Sequence, residues 1–84
     1  MTYLWIPGLP IHVECDLLQT PQAFIWHGQR HPVQLVANRW RLDEIWWQQP
    51  VRRECFKIAT DTGLLVVLYL DWSNGQWYLE RLWD

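Results

Sequence analysis

Apolar and polar residues alternate in short runs along most of this chain, and turn-forming residues separate the runs. Residues 11–17 place their apolar side chains on one parity and their polar side chains on the other. The same alternation recurs over residues 31–42, 51–59 and 76–83, whereas no segment shows an apolar period of 3.6 residues. A two-residue period is typical of half-buried β-strands. The pattern therefore predicts an all-β protein.

Turn signals divide the chain into about six strands joined in consecutive hairpins. The turn signals are Gly28-Gln29, Asp61-Thr62-Gly63 and Asn74-Gly75, the last of which favours a type I′ turn. Residues 23–27 form a short aromatic strand, and the run 64–70, apolar on both parities, suits a central strand buried on two sides. Strand twist and edge protection favour closure of such a meander. We expect a small antiparallel barrel or strongly bent meander sheet of about six strands.

Residues 43–50 interrupt the alternation with paired tryptophans, paired glutamines and a proline. A connecting loop and a short helical turn both fit this composition. If the stretch is extended, Trp46 and Trp47 face opposite sides, so that one of them lies on the surface.

Tryptophan is the main core material of this single domain, residues 1–84. Eight of the 84 residues are tryptophan, and large rings are one way to compensate for the scarce core material of a chain this short. We expect four of them in the core because they occupy strand positions; these are Trp26, Trp40, Trp77 and Trp83. Cys15 and Cys55 both lie in apolar, strand-like stretches, which predicts two buried free thiols.

Positive charge and tryptophan concentrate in the middle of the chain, although the net charge is −2. Guanidinium groups suit phosphates and indole faces suit bases, while exposed tryptophan beside arginine is also typical of protein-interface hot spots. A third interpretation is structural: the rings cap the barrel, and the arginines stack on them or pair with Asp43, Glu44 and Glu54. The candidate binding residues are Arg39, Trp40, Arg41, Trp46, Trp47, Arg52 and Arg53.

The sequence offers no catalytic or metal-binding motif. It contains no Gly-x-Ser-x-Gly, P-loop, His-Glu-x-x-His or dinucleotide fingerprint, and its only serine lies in a turn. His12, Glu14 and Asp16 share a strand face, but their spacing is not that of a zinc site. We therefore expect no enzyme, no cofactor and no metal. An apolar run of about 20 residues is also lacking, which predicts a cytoplasmic setting without a membrane partner.

The chain from residue 11 to its end resembles an uncharacterised bacterial domain family. Its members occur as small free-standing proteins and at the C-terminus of ImuB-type proteins, which are catalytically inactive relatives of Y-family DNA polymerases. The motifs that carry the resemblance are Phe24-x-Trp26-x-Gly28-x-Arg30, Val33 and Val36, Arg39-Trp40, Trp46-Trp47-x-x-Pro50-x-Arg52-Arg53-x-x-Phe56, Tyr69-x-Asp71 and Gly75-x-Trp77-Tyr78-Leu79-x-Arg81.

The resemblance implies a DNA-repair or lesion-bypass context. Together with the Arg/Trp cluster it leads us to expect a non-enzymatic module that binds a protein partner, with single-stranded DNA as the alternative ligand. Stacking of a sugar or another small ligand on exposed tryptophans is a weaker third option. The first ten residues lie outside the resemblance, and we expect them to add an edge strand or a homodimer contact.

Overall fold

The structure, a computed structural model, describes residues 2–46 and 49–83. The described residues contain seven strands in one antiparallel sheet of order β1-β7-β6-β5-β4-β3-β2. The strands are β1 (Thr2–Pro10), β2 (Val13–Cys15), β3 (Pro21–Trp26), β4 (Gln29–Trp46), β5 (Gln49–Thr60), β6 (Leu65–Asp71) and β7 (Gln76–Trp83). The predicted all-β meander is confirmed, with one strand more than the expected six because the N-terminal residues form β1.

The N-terminal segment brings the two edges of the sheet together. β1 pairs with β7 at one edge, and β2 pairs with β3 at the other. Only Ile11 and His12 lie between these strands: the Ile11 N–H donates to the Trp77 carbonyl at 3.1 Å, and the His12 carbonyl accepts from the Ile25 N–H at 3.0 Å. The sheet therefore curls into a small, partly open barrel.

The core lies inside this curl and is built on the central strand β6. Val66 to Leu70 are all buried, as the apolar run predicted. Phe24, Phe56 and Leu79 have essentially no exposed surface and pack in the same cluster. Each buried side chain of this size contributes roughly 1.5–3 kcal/mol to folding.

The hairpin of β4 and β5 is longer than the sequence predicted. Residues 43–50 were expected to be a loop or helical turn, but β4 continues to Trp46 and β5 begins at Gln49, with register pairs as far out as Trp46↔Gln49. β3 pairs with β4 only at residues 29–32, and β6 pairs with β5 only from Arg53 inwards. The outer part of the hairpin therefore has neither β3 nor β6 beside it. Because it does not pack against the core there, its sequence needs no alternation of apolar and polar residues.

Two predicted turns form with altered geometry. The β3–β4 hairpin turns at His27 and Gly28, whose φ angles are 50° and 74°, one residue earlier than predicted. The loop at Asn74-Gly75 joins Asp71 to Gln76, and only Gly75 has a positive φ, of 72°. It is a four-residue loop, so the predicted type I′ turn is wrong there, although the hairpin itself is confirmed.

Two residues predicted to be buried, Trp40 and Cys15, are exposed instead. Trp77 is buried and Trp26 and Trp83 are half-buried, but Trp40 is 39% exposed because it lies on the outer face of β4. Cys55 is buried as expected, whereas Cys15 is exposed. β2 ends at Cys15 because Asp16 Oδ1 accepts hydrogen bonds from the N–H groups of Leu18 and Thr20, which turns the chain.

Candidate functional site

The predicted Arg/Trp cluster is divided between the two faces of the β4–β5 hairpin. Arg39 lies over the ring of Phe56, a core residue, so its parity on β4 belongs to the inner face. Arg41 shares that parity on β4, and Arg52 lies opposite Asp43, a third residue of the same parity. Trp40 and Arg53 have the other parity and face outwards. Trp46 ends β4 in the backbone, and Trp47 lies outside the described residues.

On the inner face, carboxylates and an aromatic ring already contact the arginines. Arg39 Nε donates to Glu54 Oε1 at 2.6 Å. Arg52 Nε is 3.8 Å from Asp43 Oδ1 in an exposed pair. Arg41 stacks over Trp72, with its guanidinium carbon 5.3 Å from the ring centroid. Two of these three arginines are thus neutralised locally, which lowers the field available to a phosphate.

A groove of about 480 Å³ lies beside this stack, between Arg41, Arg52, Pro50 and Trp72. Trp72 is 48% exposed and was not among the predicted site residues. Its indole face, together with the guanidinium groups of Arg41 and Arg52 from the predicted cluster, lines this groove. We call this surface, Arg41, Arg52 and Trp72, the hairpin groove.

On the outer face, Arg53 has a structural role. Its guanidinium carbon lies 4.4 Å from the centroid of the buried Tyr69 ring. Its Nε is buried and lacks a hydrogen-bond partner among the described residues. A guanidinium in this position covers the core, so Arg53 is poorly placed to bind a phosphate. Trp40, opposite Cys55 on the same face, is left as an exposed ring.

A second site, which the sequence did not predict, lies at the open end of the barrel. A row of four aromatic rings crosses it. Tyr3 stacks on Trp5 with ring centroids 6.1 Å apart, Trp5 meets Trp26 edge-on at 5.3 Å, and His27 stacks on Trp26 at 4.0 Å. β1 supplies the first two rings, and the β3–β4 hairpin supplies the others.

This row forms one wall of a cleft of about 640 Å³, which is within the size range of ligand-binding pockets. We call it the aromatic cleft; its lining is Tyr3, Trp5, Leu9, Trp26, His27, Gln29, His31, Leu64 and Leu82. No Lys, Arg, Asp or Glu occurs in this lining as described. The cleft therefore suits an uncharged, largely apolar or aromatic group, with two histidines and a glutamine as polar partners.

A hydrogen-bond chain fixes His31 at the base of this cleft. His31 is 6% exposed, and its Nδ1 lies 2.7 Å from Thr62 Oγ1. Thr62 Oγ1 lies 2.9 Å from Thr60 Oγ1, which in turn accepts the Leu64 N–H at 3.0 Å. Since Nδ1 is occupied in this way, Nε2 is the ring nitrogen that His31 offers to a ligand.

No sequence motif predicts the aromatic cleft, because the residues that line it are distant in the chain. Tyr3 and Trp5 lie in the segment outside the family motifs, and Trp26 was assigned to the core. Only the pairing of β1 with β7 brings these residues together. The one local signal was Trp26-His27 before Gly28, because rings next to and within a tight turn lie at the end of a strand pair.

The thiols and acidic groups do not form a reactive site. Burial raises the pKa of the Cys55 thiol to about 11, and partial desolvation together with the charge of Asp16 raises the pKa of the more exposed Cys15 thiol. A thiol is a nucleophile only as the thiolate, so both are disfavoured at neutral pH. Within residues 2–46 and 49–83, no three His, Cys, Asp or Glu side chains are grouped so that they could hold a metal ion. The same residues include no helix of the length and apolarity needed to span a membrane.

These features define a small, curled antiparallel β-domain with an aromatic cleft and a projecting hairpin. Residues 11–84 match the family described as "Domain of unknown function (DUF6504)", and the chain belongs to this family. The match confirms the predicted membership of an uncharacterised domain family, and its span takes in β2–β7 but not β1. No curated protein and no solved structure matches the chain.

Proposed function

We propose that this protein is a non-enzymatic interaction module that binds a partner protein. The observation that carries the proposal is the aromatic cleft, in which four rings border a cavity of about 640 Å³ without a charged residue in its described lining. A cleft of this kind takes an apolar or aromatic side chain of an extended partner segment, while His and Gln side chains bond its backbone. A DNA-repair or lesion-bypass setting rests on the family resemblance to ImuB-type C-termini.

The chemistry of the cleft favours protein over single-stranded nucleic acid. Nucleic-acid affinity depends on cations that follow the phosphate backbone past the stacking rings. The described residues that line the cleft include no cation, and Arg39 and Arg52 are paired with carboxylates on the hairpin. An uncharged aromatic site is better matched to the anchor side chain of a peptide.

Selection from a displayed library of random peptides tests the proposal. We expect peptides rich in aromatic or proline residues to be enriched, and Trp5→Ala and Tyr3→Ala to weaken their binding about tenfold or more. Trp40→Ala is the matched control, because Trp40 is exposed on β4 away from the cleft. Selected peptides that bind both cleft variants as tightly as the wild type would contradict the proposal, as would dependence on Trp40.

Single-stranded nucleic acid in the hairpin groove is the second candidate. It is favoured by one observation, the stacking of Arg41 over the exposed Trp72 beside Arg52. In that case an oligonucleotide should bind at low salt, lose affinity steeply as salt is added, and bind Arg41→Ala/Arg52→Ala much more weakly. Absence of binding at low salt would eliminate this candidate. Arg53 is left unchanged in the test because its side chain covers Tyr69.

A further inference from the structure

The outer part of β4 is an open sheet edge. β3 pairs with β4 only at residues 29–32, so residues 33–46 have β5 on one side and no strand on the other among the described elements. Such an edge presents unpaired N–H and C=O groups that can accept another strand.

Only part of this edge is regular. Register shifts between Val33 and Leu35, and between Val36 and Asn38, leave Gln34 and Ala37 unpaired, and bulges of this kind protect an edge from strand addition. From Arg39 outwards the register continues without a shift as far as Trp46. This stretch contains no proline. By contrast, β1 contains Pro7 and Pro10 and a register shift, and β2 is only three residues long.

Two hydrogen bonds show which backbone groups face outwards. The Arg39 N–H donates to its neighbour Asn38 Oδ1 at 2.8 Å, so it is directed away from β5. Independently, the Arg52 carbonyl accepts from the Trp72 N–H on the β6 side of β5. Arg52 therefore forms a non-hydrogen-bonded pair with Asp43, whose own backbone groups must face the open edge. Residues 39, 41, 43 and 45 thus present their N–H and C=O groups outwards.

The charges along this stretch are self-complementary. Arg39 and Arg41 precede Leu42, and Asp43 and Glu44 follow it. In an antiparallel pair of two such strands centred on Leu42, Arg41 faces the partner subunit's Asp43 on one face of the sheet. Trp40 faces the partner subunit's Glu44 on the other. Opposite charges placed directly across strands are stabilising, whereas like charges are destabilising.

We propose that the open edge of β4, residues 39–45, binds the same edge of a second copy of this chain, forming a two-fold symmetric dimer. The two-fold axis passes beside Leu42. Residues 39, 41, 43 and 45 then face residues 45, 43, 41 and 39 of the partner subunit, and each facing pair exchanges two backbone hydrogen bonds. The interface lies on the hairpin edge and uses none of the aromatic cleft, so it is independent of the proposed peptide binding.

Charge-swapped variants test this pairing by sedimentation across a concentration series. We expect the wild-type mass to rise towards that of a dimer. Arg41→Asp and Asp43→Arg each place like charges opposite one another at two symmetric positions, and should dimerise at least about tenfold more weakly. An equimolar mixture of the two variants restores both pairs and should form a heterodimer. Arg30→Asp is the matched control, because it makes the same charge change at an exposed position of β4 outside residues 39–45 and should dimerise like the wild type.

A disulfide reports the register directly. In a Cys15→Ser background, Leu42→Cys places two thiols across the axis in a non-hydrogen-bonded pair, whose Cα separation of about 4.5 Å suits a disulfide. Glu44→Cys, two residues further along the same face, faces Trp40 of the partner subunit and should remain uncrosslinked. A monomeric wild type at all concentrations would overturn the proposal. So would a dimer that the single charge swaps leave unchanged, a mixture that stays monomeric, or equal crosslinking of both cysteine variants.

Discussion

Gly8 fixes the position of β1, and a single methyl group there should displace the strand. A Cβ built on Gly8 would lie 2.6 Å from the hydroxyl oxygen of Tyr69 and 2.8 Å from its Cε2. It would also lie 2.8 Å from Cβ of Tyr78. The two tyrosine rings stack with centroids 5.0 Å apart, and Tyr69 is 2% exposed. Neither ring can move aside freely, so Gly8→Ala must be accommodated by β1.

The expected cost of Gly8→Ala follows from two opposing effects. Overpacking of this kind costs about 1–3 kcal/mol. The loss of glycine's extra freedom in the unfolded chain returns about 0.4–1 kcal/mol, since Gly8 is not among the residues with positive φ. The net loss is about 1–2 kcal/mol, out of a total stability of about 4–12 kcal/mol for a domain of this size. The melting temperature should fall by about 4–16 °C.

Thermal and urea unfolding of a double-mutant cycle measures this effect. Burial raises the pKa of Tyr69, while Arg53 and a hydrogen bond from the Gly8 backbone lower it, so Tyr69→Phe removes a favourable contact from the wild type. In the Gly8→Ala background the same change also removes the atom nearest the new methyl group. Tyr69→Phe should therefore cost less in that background, with a coupling of about 0.5 kcal/mol or more. A wild-type melting temperature for Gly8→Ala, or strictly additive costs, would refute the reasoning.

Three further perturbations test the thiols and the core. The pKa of Cys55, about 11 in the folded protein, exceeds its unfolded value of about 8.5. The protonated Cys55 thiol therefore stabilises the fold fully below about pH 8.5. As the pH rises towards 11, the free energy of unfolding measured in urea should fall by about 3 kcal/mol. An equal fall in Cys55→Ala would show that Cys55 is not the group responsible. Alkylation of the native protein should modify Cys15 and spare Cys55 until unfolding, as followed by mass spectrometry; simultaneous modification would be inconsistent with the burial of Cys55. Phe56→Ala should lower the free energy of unfolding by about 3–5 kcal/mol. Arg30→Ala, which breaks an exposed pair with Glu14, should lower it by less than about 1 kcal/mol. Equal losses in urea unfolding would contradict the assignment of Phe56 to the core.

The strands that bury a face were predictable from the sequence, and the projecting hairpin was not. Alternation is a signal of burial, so the run 64–70 and the alternating segment 76–83 were located correctly. Residues 43–46, 49 and 50 pair as strands beyond the ends of the neighbouring strands β3 and β6, and no periodic pattern marks them in the sequence. The prediction that Trp40 lies in the core is wrong for the same reason. Trp40 does lie in a strand, but β3 does not extend along β4 to this residue, and the ring faces outwards.

The candidate site was predictable only where it is local. The spacing in the chain placed Arg39, Arg41 and Arg52 on one hairpin, and the structure brings them to one face. The sequence also predicted Glu54 and Asp43 as partners of the arginines, but it did not show that Glu54 would pair with Arg39 and Asp43 with Arg52. The aromatic cleft depends on contacts between residues far apart in the chain, and these follow from closure of the sheet rather than from any motif.

The closure of the sheet and the formation of the aromatic cleft depend on the same strand. β1 pairs with the edge of β7, and its Gly8 packs against Tyr69. The same strand places Trp5 in contact with the ring of Trp26, with Tyr3 stacked on Trp5. A change that displaces β1, such as Gly8→Ala, should therefore lower both stability and peptide binding. A charge swap at the open edge of β4 should alter neither, because that edge shares no residue with the cleft. If the aromatic cleft and the open edge of β4 bind independently, peptide binding and dimerisation should respond to different substitutions in this way.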